Sequence, residues 1–194
     1  MKSPDFRGLP SLYLEPNQLI HVDKPTVIST ILGSCVALTV HHPKTCFGVM
    51  CHCLLSRCPM KKNQQQNDEN STTTCEQECF RFVECTVPHI LEMCASRGYT
   101  LESLNFKLFG GSELFTNRGF GPDESASSPS VGSANVSLMK TLLKQHGIKL
   151  KACNVGGMEG RKIFFYTDTG EVLMRKINNT RQTGHLCRIN SQHQ

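Results

Sequence analysis

The 194-residue sequence has no tryptophan, only three tyrosines and no CxxC motif. No apolar run approaches the roughly 18–20 residues that a membrane-spanning helix needs, so no membrane insertion is expected. The opening stretch MKSPDFRGLPSLYLEPNQ lacks the apolar core of a secretory signal. The eleven cysteines are odd in number and carry no export context, which points to reduced thiols in a cytoplasm. A basic stripe with aromatic residues between its members is also missing. The net charge of +5 is spread along the chain, with a modest cluster at Arg175, Lys176, Arg181 and Arg188. This reads as a solvated positive face, and no nucleic-acid partner is expected. Structural zinc sites favour tightly paired ligands, typically C-x2–4-C repeated. Here Cys51, His52 and Cys53 are adjacent, and Cys75 and Cys79 lie in a polar stretch, so no metal is expected.

What is present reads as one α/β domain: a layered sandwich of mixed β-sheet with two main helices. Its boundaries are 1–178, with a polar C-terminal tail over 179–194. Residues 57–80, rich in Gln, Asn and Thr, read as a mobile insertion, and 118–130 as a loop. Residues 19–31 suggest two short strands around Asp23-Lys24-Pro25, and 36–40 and 47–55 two more. A helix is expected over 80–97, ending at Gly98. Pro88 implies either a kink or a regular part that begins near Thr86. Residues 104–111 form a strand ending in Gly110-Gly111. The clearest helix spans 134–147, with Ser133 as N-cap and Gly147 as stop. Strands at 148–155, 161–167 and 171–177 follow, the last two joined by a hairpin at Asp168-Thr169-Gly170.

The chemistry-bearing stretch is LGSCVALTVHHPKTCFGVMCHCLL, residues 32–55. A four-residue loop over 42–45 pairs His41 with Cys46 and sets Cys35 opposite His52. Opposed side chains share a face, with Cβ atoms roughly 4.5–5.5 Å apart. Cys51 and Cys53 then point to the other face. Thiolate is the nucleophilic form of cysteine, and a neighbouring imidazole can take the thiol proton and later return it to a leaving group. Gly33-Ser34 ahead of Cys35 makes a small-residue turn whose N–H groups can face an oxyanion.

Five ordered segments carry a resemblance: VISTILGSCVALTV, FGVMCHCLL, FKLFGGSELF, VGSANVSLMKTLLKQHGIKL and NVGGMEGRKIFFYTDTGEVLMRKI. Together they closely resemble the chemoreceptor glutamine deamidase family, CheD, of bacterial chemotaxis, over roughly residues 15–177. The resemblance implies a CheD-like cysteine hydrolase fold. It also implies hydrolysis of glutamine side chains on methyl-accepting chemoreceptors to glutamate and ammonia, with a possible side activity on receptor methyl esters. It places the nucleophile on Cys35 and the histidine on His52. The third site residue, a hydroxyl six positions before the cysteine, falls on Ser29, and Thr30 would serve after a one-residue shift. Gly33, Ser34, Gly110 and Gly111 would line the substrate site, with no cofactor required. The family also resembles partners of a CheC-type phosphatase, so a non-catalytic adaptor is the alternative. Departures from the family pattern include Ser56 after the two leucines, Phe82 and Glu84 at the first helix, and Asn154-Val155 before the second double glycine.

Overall fold

The chain changes sheets in the three residues Gly33-Ser34-Cys35, and that corner organises the architecture. The structure, a computed structural model, describes residues 6–59, 79–113, 129–177 and 186–189. Its elements are β1 (Ser11–Tyr13), β2 (Leu19–Val22), β3 (Val27–Leu32), β4 (Val36–His41), β5 (Gly48–Cys51), α1 (Val83–Ser96), β6 (Asn105–Gly110), α2 (Val131–Gln145), β7 (Leu150–Val155), β8 (Gly160–Tyr166), β9 (Val172–Ile177) and β10 (Leu186–Ile189). One sheet has the order β1-β3-β8-β9-β10, the other β2-β5-β4-β6-β7. Each is mixed: β1 runs parallel to β3 and β6 parallel to β7, and the other pairs are antiparallel. The β6–α2–β7 passage supplies the long crossover that a parallel pair requires.

The mixed α/β layering matches the expectation, but the strands divide between two sheets. Alternation along β3 shows why they stack. Ile28 and Leu32 face a core shared with Ala37, Met50, Phe109 and Phe165, while Ile31 faces outward and is 45% exposed. The second sheet buries its other face against the helices, through Leu38, Val40 and Val49 on the strands and Ile90, Met139 and Leu143 on α1 and α2. β4 is therefore buried along its whole length, which explains its near-continuous apolar run.

Local boundaries differ from expectation at four places. Helix α1 begins at Val83 and carries Pro88 in its second turn. Burial of Val83, Val87, Ile90 and Cys94 outweighs the one backbone bond that proline cannot donate. Helix α2 starts at Val131, capped by Ser130, whose hydroxyl accepts from the Ser133 N–H; Ser133 lies inside the helix. The expected tail contributes a strand, since Leu186–Ile189 pairs with β9. The β4–β5 hairpin keeps a four-residue loop but shifts it one residue along, from 42–45 to 43–46: His42 N–H bonds to the Phe47 carbonyl, and His41 pairs with Gly48. Most of the expected insertion (57–80) and most of the 118–130 loop lie outside the described residues. Among the described residues no helix is long and apolar enough to cross a membrane.

Candidate active site

The corner at 33–35 is fixed by its carbonyls. Gly33 O accepts from Ser112 N–H at 2.8 Å and Cys35 O from Gly111 N–H at 2.7 Å. Ser34 O accepts from Asn135 Nδ2 at 3.1 Å. Each trans peptide turns its N–H away from its carbonyl, so the Ser34 N–H points away from Ser112 and the Cys35 N–H away from Asn135. Gly110 backs directly onto this corner: a Cβ there would collide with the Cys35 carbonyl, and its φ of +107° suits only glycine. Gly111 and Gly132 allow α2 to approach; a Cβ on Gly132 would lie 2.7 Å from the carbonyl oxygens of Gly111 and Ser112. Arg161 braces the same region from β8. Its buried guanidinium donates to Gly110 O at 2.6 Å, Gly156 O at 2.6 Å and Ser112 Oγ at 3.2 Å.

His52 enters from the end of β5. Its backbone is tied to the segment after β1, with N–H to Gln18 O at 2.9 Å and its carbonyl accepting from Asn17 N–H at 3.0 Å. The expected direct opposition of Cys35 and His52 is corrected by the observed register. Thr39 pairs with Met50 and Val36 with Cys53, which sets His52 level with Ala37. Cys35 lies two residues further along the same face, so the two are diagonal neighbours. Such pairs lie roughly 7–8 Å apart, within reach of long side chains. The shift of two residues preserves the face: Cys35 packs into the core between the sheets, while Cys51 and Cys53 face the helices with their sulfurs 3.8 Å apart.

Thr30, not Ser29, meets the imidazole. Thr30 Oγ1 stands 2.8 Å from His52 Nδ1, and both residues are buried. Ser29 lies on the outward side of β3, where its hydroxyl donates to Leu12 O at 3.5 Å. Alternation forces this outcome, because Thr30 shares the inward face of Ile28 and Leu32. The bond also fixes the tautomer. Thr30 donates its only hydroxyl proton to Leu14 O at 2.7 Å, so toward His52 it can only accept. The proton therefore sits on Nδ1, and Nε2 carries the lone pair. Nε2 is buried and has no hydrogen-bond partner among the described residues.

Burial dominates the electrostatics. It lowers the His52 pKa to about 4, opposed in part by the Leu14 carbonyl. It raises the half-buried Cys35 thiol, opposed in part by the residue's own backbone N–H. At neutral pH the pair is a thiol and a neutral imidazole, each uncharged. Among the described residues no group of three or more His, Cys, Asp or Glu side chains is arranged to hold a metal ion.

A half-buried cysteine on the diagonal of a histidine with a fixed tautomer and a free ring nitrogen is an arrangement suited to nucleophilic chemistry. Comparison with known proteins bears on which kind. The model of a family described as CheD chemotactic sensory transduction matches residues 64–176. The chain belongs to the CheD family. A probable chemoreceptor glutamine deamidase CheD 2 of Geobacter sulfurreducens is 38% identical over 172 residues, covering 89% of this chain and 93% of that relative. A probable chemoreceptor glutamine deamidase CheD of Maridesulfovibrio salexigens is 32% identical over 79% of this chain and 84% of its own. The chemoreceptor glutamine deamidase CheD of Thermotoga maritima is 29% identical over 81% and 87%. The family-model match begins downstream of Cys35 and His52. The Geobacter alignment, in contrast, leaves too few residues outside it to miss positions 35 and 52.

Two CheD-site neighbours escaped the sequence reading: Asn135 and Arg161. Asn135 was discoverable in principle, being a polar residue on the same helix stripe as Met139 and Leu143. Arg161 left no such trace, because a basic residue at the start of a strand normally faces solvent.

Proposed function

We propose that this chain is a cysteine-dependent protein-glutamine deamidase with a CheD-like cysteine hydrolase fold. It acts in the cytoplasm on methyl-accepting chemoreceptors, and its domain spans residues 1–178. The observation that carries this reading is the free Nε2 of His52, oriented by Thr30 and diagonal to Cys35. When a receptor glutamine enters, Nε2 takes the Cys35 proton and the thiolate attacks the amide carbon. The N–H groups of Ser34 and Cys35 receive the oxyanion. The imidazolium returns the proton to the departing ammonia, leaving a thioester on Cys35. Water then gives up a proton to the same nitrogen, attacks the thioester and releases glutamate, and the proton returns to sulfur. No metal or organic cofactor takes part. Gly33, Ser34, Gly110 and Gly111 act by shaping the corner that presents the thiol.

Mass spectrometry of a co-expressed receptor, with wild-type protein and with Cys35→Ala, tests the reading. Wild type converts amide to acid at particular glutamines, and Cys35→Ala does not. Conversion by Cys35→Ala at the wild-type rate would sink the proposal. A chain that binds receptor without releasing ammonia would instead be the adaptor. Binding to a CheC-type phosphatase is a separable expectation, checked by co-sedimentation.

A further inference from the structure

Helix α2 carries a side chain that joins the two halves of the site. Asn135 is fully buried, and its Nδ2 donates both to Ser34 O at 3.1 Å and to Leu54 O at 2.8 Å. Ser34 immediately precedes Cys35, and Leu54 lies two residues beyond His52. One amide group thus spans the nucleophile corner and the strand end that carries the imidazole. These two segments come from opposite ends of the β4–β5 hairpin. Near this end their direct pairing has thinned to an isolated bridge at Val36 and Cys53.

The helix is held close enough for so short a side chain to reach. The glycine pair Gly111 and Gly132 removes the Cβ atoms that would otherwise keep α2 away. Asn135 is also an uneasy choice for packing, since its Oδ1 is buried with no hydrogen-bond partner among the described residues. An orphan of this kind lowers stability, because a desolvated acceptor has no donor to replace water. Leucine, the residue type found on the same stripe at 143, would avoid that cost. What leucine cannot do is hold two carbonyls from two segments on one donor group.

From this we infer that Asn135 is a positioning residue of the active site, setting the separation of Cys35 from His52. The inference rests on the deamidase reading for its kinetic test, and has one readout that does not depend on it. Asn135→Ala leaves two carbonyls unbridged and lets the corner and the strand end drift apart. A misplacement of about 1 Å costs on the order of a hundredfold in rate. The loss falls on kcat, because neither carbonyl faces the substrate, and KM stays within about twofold.

The experiment compares wild type, Asn135→Ala, His52→Ala and the double variant. It measures receptor deamidation per folded molecule and, separately, the rate at which iodoacetamide labels Cys35 at pH 7. Should Asn135→Ala fail to fold, Asn135→Ser, which keeps one donor, replaces it. The expected result is that Asn135→Ala and His52→Ala each lower kcat and labelling, and that the double variant is no worse than His52→Ala alone. Losses that multiply, or a folded Asn135 variant with wild-type kcat and labelling rate, would overturn the inference and leave Asn135 a packing residue. Failure of the deamidase reading shows separately, either as no deamidation by wild type or as deamidation that Cys35→Ala retains, whatever the labelling rates show.

Discussion

Thr30 Oγ1 accepts the Nδ1 proton of His52 at 2.8 Å while passing its own proton to the Leu14 carbonyl. This relay joins three segments and leaves Nε2 as the basic nitrogen. Thr30→Val keeps the shape but removes the acceptor, so the ring loses its fixed tautomer and a buried donor is orphaned. Receptor deamidation is expected to fall by about tenfold to a hundredfold. Thr30→Ser should stay near wild type, as should Ser29→Ala. Ammonia release from receptor peptides separates the three.

Acid should weaken the fold through His52. Its folded pKa of about 4 lies below the ordinary value of 6.5, so the unfolded chain takes the proton first as pH falls. Stability from keeping the ring neutral is complete above pH 6.5 and is lost on descending toward pH 4. The loss attributable to this group amounts to about 3 kcal/mol. Urea unfolding of wild type and His52→Gln across that window checks it. Every other ionisable group is common to both proteins, so the difference between the curves isolates His52. Equal slopes would refute the assignment.

Gly110 and Gly98 both have positive φ, at +107° and +77°, yet they should respond differently to alanine. A Cβ at Gly98 meets nothing within 4 Å, so only backbone strain of about 1–2 kcal/mol is expected. At Gly110 the methyl would run into the Cys35 carbonyl, and destabilisation of about 3 kcal/mol or more should follow. Chemical denaturation gives both numbers.

Cys51 and Cys53 flank His52 in sequence but face the helix layer. Replacing each with alanine should cost roughly 1 kcal/mol of stability through lost packing. Turnover per folded molecule should remain within about twofold, since neither thiol borders the reacting groups. A collapse of kcat with unchanged stability would assign them a chemical part.

Much of this site was legible in the sequence because β-strand parity is robust. The observed register differs from the expected one by two residues because the four-residue loop is 43–46 and not 42–45, and nothing in His42-Pro43-Lys44-Thr45 reveals that one-residue shift. A displacement of two leaves every side chain on its original face, so Cys35 and His52 still belonged together and Cys51 and Cys53 still belonged elsewhere. The same parity, applied to Val27 through Leu32, favours Thr30 over Ser29 once Ile28 and Leu32 are taken as core. The division into two sheets was not legible. Gly33-Ser34-Cys35 reads locally as a turn, and only tertiary packing decides that it leads to a second layer. The strand at Leu186–Ile189 was hidden for a related reason, because its short apolar content is flanked by polar residues and its pairing with β9 is non-local.

The uncharged resting state of Cys35 and His52 has a consequence for durability in the cell. Peroxides and other adventitious oxidants react with the sulfur anion far more readily than with the protonated form. A centre whose sulfur stays protonated at rest presents little of that anion between turnovers. It gives up the constant readiness of a pre-ionised cysteine, and in exchange stands idle without being spoiled.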